Sequence, residues 1–502
     1  MSDRPYCIVG YSFVIVFFLL IWLLRTSAPP FSPDSWSFYE ISQSVFNDFG
    51  KINTLRHYQQ DLVWDRNVSF PPLWPILIRV FDGFSRMGIY SGYILNAIFL
   101  LLSLYMNARI GHDLIGYPLA GVFLSVLMLS YKNFVGEFLS AGSMPLAFLF
   151  QQMIVYIVLT REKIAPKDAI LLAMISGLCV LTRFDFLLSA VALPLVIILR
   201  NKSLSIKENS LYLMGILITL SPWILYSLTT FQRLWVTDNS RTALLAFTNY
   251  VSDYFPRDAV LPTLFNHPKQ WLYLYFTERL PAQFDTLGSF SLLRPIVPLA
   301  VFVLLKRAPL KDGKRFFARW GQLGLLWLVL IFAVSLTGYS AKRYYTVVYW
   351  YVGVLLLVLA GVRLKESRWR IVILLAMLGI AVFYNTEQFI MDSKQKIAIG
   401  FNRENMSAES YRILLEKVPA GSSILFWGAG EEFKFGALTG RKTLFMPPNI
   451  EDNPRLIERF LADYPADYIL IRASAMNKTE LLRQKVTFII ENDDGTLDIL
   501  HP

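Results

Sequence analysis

The sequence predicts an α-helical, multi-pass membrane protein with a small α/β domain at its C-terminal end. Composition is the first sign: of 502 residues, 55% are hydrophobic and 15% aromatic, only 17% are charged, and mean hydropathy is +0.44. A soluble chain of this length carries more charge. The second sign is a recurrence of apolar runs of about 17 to 25 residues, the length that crosses a bilayer. The third is a change beyond residue 401, where short apolar runs alternate with amphipathic ones.

The apolar runs place eleven spans at 7–24, 88–106, 114–130, 145–160, 169–182, 186–199, 210–229, 289–305, 321–338, 344–362 and 371–385. Each is read as a helix, because a helix satisfies its own backbone hydrogen bonds in lipid. The first run is bulky at Phe17, Phe18 and Trp22 and has no small-x-small cleavage site, so it reads as a retained span and not a signal peptide. The fifth and sixth are short, and a single broken element around Thr182-Arg183-Phe184-Asp185 is the alternative.

Orientation follows from the short loops. One alternate set holds Arg161, Lys163, Lys167, Arg200, Lys202, Lys207, a basic run over 306–319, and Arg363, Lys365, Arg368 and Arg370. The opposite set holds little beyond Lys132, Arg183, Lys342 and Arg343. The positive-inside rule puts the first set and the N-terminus in the cytoplasm, and 25–87, 230–288 and 386–502 outside. Much of the net charge of +11 then serves topology and contact with membrane lipids, and no nucleic-acid partner is needed to explain it.

In the first outer segment, Phe38, Ile41, Val45 and Phe49 repeat at helical spacing and predict a short interfacial helix. Ser69-Phe70-Pro71-Pro72-Leu73-Trp74 closes that segment, because proline ends one element and tolerates the first turn of the next. Residues 230–288 carry Trp235, Tyr250, Tyr254, Trp271, Tyr273 and Tyr275 and read as a lid or binding loop. The chain divides into a membrane domain over 1–385, a linker over 386–400 and an α/β domain over 401–502. In the last, strands are expected at 422–427, 443–445 and 468–471, helices at 431–438 and 453–464, and a hairpin of 486–490 with 496–500 around Asp493-Asp494-Gly495.

Several chemistries lack support. Cys7 and Cys179 both fall in predicted spans, which excludes a disulfide framework and a cysteine-based zinc site. His57, His112, His267 and His501 have no metal-ligand spacing. Gly428-Ala429-Gly430 lacks the third glycine of a dinucleotide fingerprint and reads as a tight turn. Asn67, Asn405 and Asn477 open glycosylation triplets, which matter only in a host that uses them.

Four pieces, in order and in membrane placement, carry a resemblance. Asp34 and Tyr39 follow the first span, and Pro71-Pro72-Leu73 closes the first outer loop. Gly177-Leu178-Cys179-Val180-Leu181-Thr182-Arg183 ends the fifth span. Ser221-Pro222-Trp223 precedes the long loop, and Arg343-Tyr344-Tyr345 opens a late span. Over about its first 385 residues the chain resembles the GT-C glycosyltransferases, bacterial relatives of the protein mannosyltransferase and aminoarabinose transferase group.

The resemblance implies transfer of a sugar from a polyprenyl-phosphate donor to a glycan, lipid or protein acceptor at the outer face of the cytoplasmic membrane. It makes Asp34 the general base for the acceptor hydroxyl, against the alternative of a helix N-cap. It makes Arg183, Arg343 and Lys342 ligands of the donor phosphate. Their alternatives are an Arg183–Asp185 pair and snorkelling to headgroups. Tyr39 and Tyr344 become substrate-loop residues, Tyr344 being equally suited to an aromatic belt. Glu137 is the only acid between the third and fourth spans and the candidate second acid, unless it pairs with Lys132; Ala141 is the other position where relatives carry it. Phe70 stands where those branches tend to have lysine, and Arg66 is the nearby cation that can replace it. The sequence names no cofactor; a divalent cation is the candidate, since Asp34 and Glu137 can bind one or act alone. Two other readings are a transporter or lipid-linked sugar flippase, for which no internal repeat is visible, and a non-catalytic scaffold of GT-C shape.

Overall fold

The computed structural model describes residues 33–48, 50, 54–55, 70–161, 164–200, 206–237, 243–247, 253–256, 258–289, 293–305, 342–366, 369–383, 408–427, 432–472, 487–491 and 497–500, with most of 7–19 and part of 321–336. In chain order the helices of the first part are α1 (Pro33–Asp48), α2 (Leu73–Ser85), α3 (Tyr90–Arg109), α4 (Leu119–Leu129), α5 (Lys132–Phe138), α6 (Met144–Thr160) and α7 (Pro166–Thr182). They continue as α8 (Leu187–Arg200), α9 (Ile206–Phe231), α10 (Pro268–Leu274), α11 (Leu280–Leu287), α12 (Val297–Leu305), α13 (Lys342–Glu366) and α14 (Trp369–Phe383).

Two described helices, Tyr90–Leu114 and Lys207–Phe231, are long and apolar enough to cross a membrane. Other predicted spans correspond to apolar helices of 10–17 residues or lie partly outside the described residues. The α3 helix has the polarity of a lipid-facing element. Asn96, Ser103 and Asn107 are buried on one side, while Ile98, Leu101, Leu102 and Tyr105 are exposed at i, i+3, i+4 and i+7. In α9 Leu213, Met214, Leu217 and Ile218 are likewise exposed. Apolar stripes of this extent belong against acyl chains, and the chain is a multi-pass helical membrane protein.

The buried polar groups bind one another. Asn107 Oδ1 accepts from Gln152 Nε2 at 2.8 Å and from Trp350 Nε1 at 3.0 Å. Tyr351 donates to Gln151 at 2.6 Å, and Gln151 donates to Cys179 at 3.2 Å. These contacts tie α13 to α3, α6 and α7. Helices α7 and α9 approach through glycines: a Cβ on Gly177 would lie 2.6 Å from Thr219 Cβ, and one on Gly215 2.6 Å from Ala173 Cβ. Arg183 is extended (φ −152°, ψ 119°), and a 3-10 turn Phe184–Phe186 leads into α8. The fifth and sixth apolar runs are therefore two helices with a turn between them.

The α/β domain contains α15 (Ala408–Lys417), α16 (Glu432–Thr439) and α17 (Pro454–Asp463). Its strands are β2 (Ser423–Trp427), β3 (Lys442–Phe445), β4 (Tyr468–Arg472), β5 (Thr487–Glu491) and β6 (Leu497–Leu500), matching the strands and terminal hairpin expected from sequence. Strands β3, β2, β4 and β5 run parallel, and β6 is antiparallel to β5. A further strand, β1 (Thr54–Leu55), comes from the first long loop and pairs in parallel with β3. The sheet order is β1-β3-β2-β4-β5-β6. Helix α1 packs on both α2 and α16. Its stripe of Phe38, Ile41 and Val45 is buried in protein, which differs from the interfacial helix the spacing predicts; Phe49 lies outside the described residues.

Candidate functional site

The candidate site is built around α1, the N-terminus of α2 and the segment after α5, which pack together through the Phe38–Trp74 cluster and the Trp74–Ala141 hydrogen bond; the α7–α8 turn carries a further candidate, Arg183. Asp34 lies in the first turn of α1, inside the helix rather than before it, and is half-buried. A carboxylate there suits the helix dipole. Asp34, Phe38, Ile41 and Val45 stand at i, i+4, i+7 and i+11, so Asp34 begins the buried stripe. Phe38 leads that stripe onto Phe70, with ring centroids 4.7 Å apart, and into a cluster with Trp74, Ile78 and Leu146. Pro71 and Pro72 are buried and open α2, the role expected of them.

The indole of Trp74 donates to the Ala141 carbonyl at 2.8 Å. From α3, Asn96 Nδ2 donates to the carbonyls of Ser140 (2.6 Å) and Gly142 (2.9 Å). This clasp fixes the segment that carries Glu137, whose half-buried carboxylate Oε2 would be 3.2 Å from a Cβ on Gly142. Ala141 is buried, and its Cβ would be 2.9 Å from one on Gly92.

Arg183 pairs with Asp185 through two nitrogens, Nη2 to Oδ2 at 3.1 Å and Nε to Oδ1 at 3.2 Å, both side chains mostly buried. Above the turn, Phe184 packs on Trp223 (4.9 Å) and on Trp235 (5.3 Å). The Pro222-Trp223 and Thr182-Arg183 pieces thus meet, with Trp235 of the long loop over them.

Tyr39 is not brought together with Asp34. Five residues separate them, a rotation of about 140° around a helix, and Tyr39 turns to the α2–α3 turn, where its hydroxyl lies near Gly88. Burial first, and then the Asp82 carboxylate, push its phenol pKa up. Lys342, Arg343 and Tyr344 occupy the first turn of α13, but their side chains, that of Lys132 and all of Arg66 lie outside the described residues. Tyr345 beside them hydrogen-bonds Gln283 of α11, and Tyr349 the Leu287 carbonyl. Among the described residues no three His, Cys, Asp or Glu side chains gather.

One organising residue is not apparent from sequence. Arg279, a single cation in Tyr-Phe-Thr-Glu-Arg, is buried and donates to the carbonyls of Leu245 (2.7 Å), Leu336 (2.8 Å) and Ala243 (3.0 Å). Desolvation lowers the pKa of its guanidinium. Trp271 stacks on Tyr275 at 5.4 Å and donates to Ala243 at 2.8 Å. The predicted aromatic loop is therefore folded around a buried cation; Tyr250 lies outside the described residues. Only its position between aromatics hinted at this.

No protein-family model matches the chain, and no curated protein matches it significantly. Among solved structures it is similar to ArnT from Cupriavidus metallidurans bound to undecaprenyl phosphate, with 11% identity and a TM-score of 0.58, covering 98% of this chain and 94% of that one. The same protein in its apo state gives 11% identity, a TM-score of 0.55 and the same coverage. At this identity the likeness concerns architecture: the chain shares the fold of ArnT over nearly its whole length.

Proposed function

We propose that this protein transfers a sugar from a polyprenyl-phosphate carrier to an acceptor at the outer face of the cytoplasmic membrane. The observation that carries the reading is convergence. The buried stripe headed by Asp34, the Pro71-Pro72 opening of α2 and the clasped Glu137 segment pack together in a fold shared with ArnT. ArnT was crystallised with undecaprenyl phosphate, which supports a lipid of that class as donor.

Asp34 takes the proton of an acceptor hydroxyl as its oxygen attacks the anomeric carbon. The bond from that carbon to the phosphate oxygen breaks, and the carrier leaves as polyprenyl phosphate. Arg183, held by Asp185, and the cations Arg343 and Lys342 at the head of α13 compensate the charge that develops on the phosphate. Arg66 is a further cation for it. Glu137 orients the acceptor or Asp34. The site, with the α/β domain, faces outward, and the N-terminus is cytoplasmic. The experiment is lipid profiling of a strain lacking the protein. A polyprenyl-phosphate sugar is expected to accumulate there and to disappear on complementation; unchanged polyprenyl lipids sink the reading.

A further inference from the structure

A concavity of about 780 Å3 has neither Asp34 nor Glu137 in its lining. Tyr39 and Phe46 of α1, Arg79, Val80 and Phe84 of α2, and Arg86 after it line the space. Tyr39 and Phe46 share a face of α1 turned about 120° to 140° from Asp34. The cavity is amphipathic. Phe84 is 85% exposed, Phe46 65% and Val80 45%, yet two guanidinium groups stand among them. Asp82 also lines it, but its Oδ1 accepts from the Gly88 N–H (2.6 Å) and the Ser91 hydroxyl (3.0 Å), bracing the turn. Two arginines against one aspartate leave one net positive charge.

Arg86 sits in the left-handed region (φ 54°, ψ 34°) as the C-cap of α2. Glycine fills such positions at least cost, and a residue with a Cβ is strained there. Strain retained at a site points to a use for the side chain. The depth indicates which use. The long apolar helix starts at Tyr90, and Met87 and Tyr90 are themselves exposed, so the cavity opens at headgroup level, where aromatics and arginines meet lipid.

We infer that this cavity binds the phosphodiester headgroup of an anionic glycerophospholipid, with Arg79 and Arg86 on the phosphate and Phe46, Val80 and Phe84 against the acyl chains. A singly charged phosphodiester matches the net charge of the lining, and guanidinium suits phosphate through paired N–H donors. The inference does not depend on the sugar-transfer reading.

The test uses the full-length protein in neutral detergent, with phosphatidylglycerol as probe and native mass spectrometry and thermal melting as readouts. Arg86→Gly relieves the left-handed cap, so it melts at or above the wild-type temperature in detergent alone. Its affinity for phosphatidylglycerol nevertheless falls about tenfold, as does that of Arg79→Gln, each having lost a charge-assisted contact. Unchanged affinity in both variants overturns the proposal. So does an equal thermal shift from inorganic phosphate, which would mean a free-anion site. Displacement of phosphatidylglycerol by equimolar polyprenyl phosphate would assign the cavity to the donor and also overturns it.

Discussion

Asp34 is the residue on which the proposed chemistry turns. A lone acid after an apolar run reads equally as a cap or a base; it stands inside the first turn, at the head of the stripe that runs into Phe70 and Trp74, and the base is the role proposed for it. Asp34→Asn keeps the shape and removes the basic oxygen. Transfer activity in that variant is expected to fall at least about a hundredfold, the usual reach of general base catalysis, with unchanged protein in the membrane by immunoblot. Arg279 belongs to a different kind of residue, one whose role shows only after folding. Its charge could be read in the sequence; the carbonyls it bonds, from 243, 245, 247 and 336, could not. Arg279→Met leaves those acceptors unsatisfied, a cost of about 1–3 kcal/mol, and faster proteolytic cleavage between 230 and 270 is the expected result. An unchanged digestion rate would argue against the clamp.

The helices were legible where hydropathy decides them and less so where packing does. Apolar runs located α3, α6, α7 and α9 to within a few residues, because lipid imposes length and apolarity directly. The strands β2 to β6 were legible because apolar runs bounded by turns are a local signal. Strand β1 was not: two residues, Thr54 and Leu55, carry no period, and only β3 gives them a partner. The stripe of α1 has a clear helical period, but period alone does not distinguish a protein surface from a bilayer. Gly177 shows how a motif residue serves an element. With Thr219 2.6 Å from its notional Cβ, Gly177→Leu forces α7 from α9. A loss of about 1–3 kcal/mol is expected from such overpacking, visible as a lower melting temperature of the purified protein. Gly379→Ala, where nothing lies within 4 Å, serves as control and should not lower it.

The molecule as a whole is more closely knit than a membrane domain followed by a linker and a soluble unit. The first long loop lends β1 and α1 to the α/β domain, and the second lends Tyr254. That ring is buried with Phe460 and Tyr464, its backbone exchanges hydrogen bonds with Asn449 (2.9 and 2.8 Å), and its hydroxyl donates to Asp463. Arg459 pairs with Asp258 alongside. The guanidinium holds the Asp258 carboxyl below the usual carboxylate range. A depressed pKa contributes stability that is present above the unfolded value of about 3.9 and is lost as pH falls through the folded one. Hydrogen exchange in 253–259 is therefore expected to quicken below about pH 4, and Asp258→Asn to remove that dependence; identical pH profiles would refute the pairing. The α/β domain thus holds segments of both long loops. The most direct measurement takes lipid extract from a strain lacking the protein and supplies it, with a membrane fraction containing acceptor, to vesicles bearing the purified protein. The account predicts release of polyprenyl phosphate by the wild type and none above background by Asp34→Asn. Equal release by both, or by neither, contradicts it.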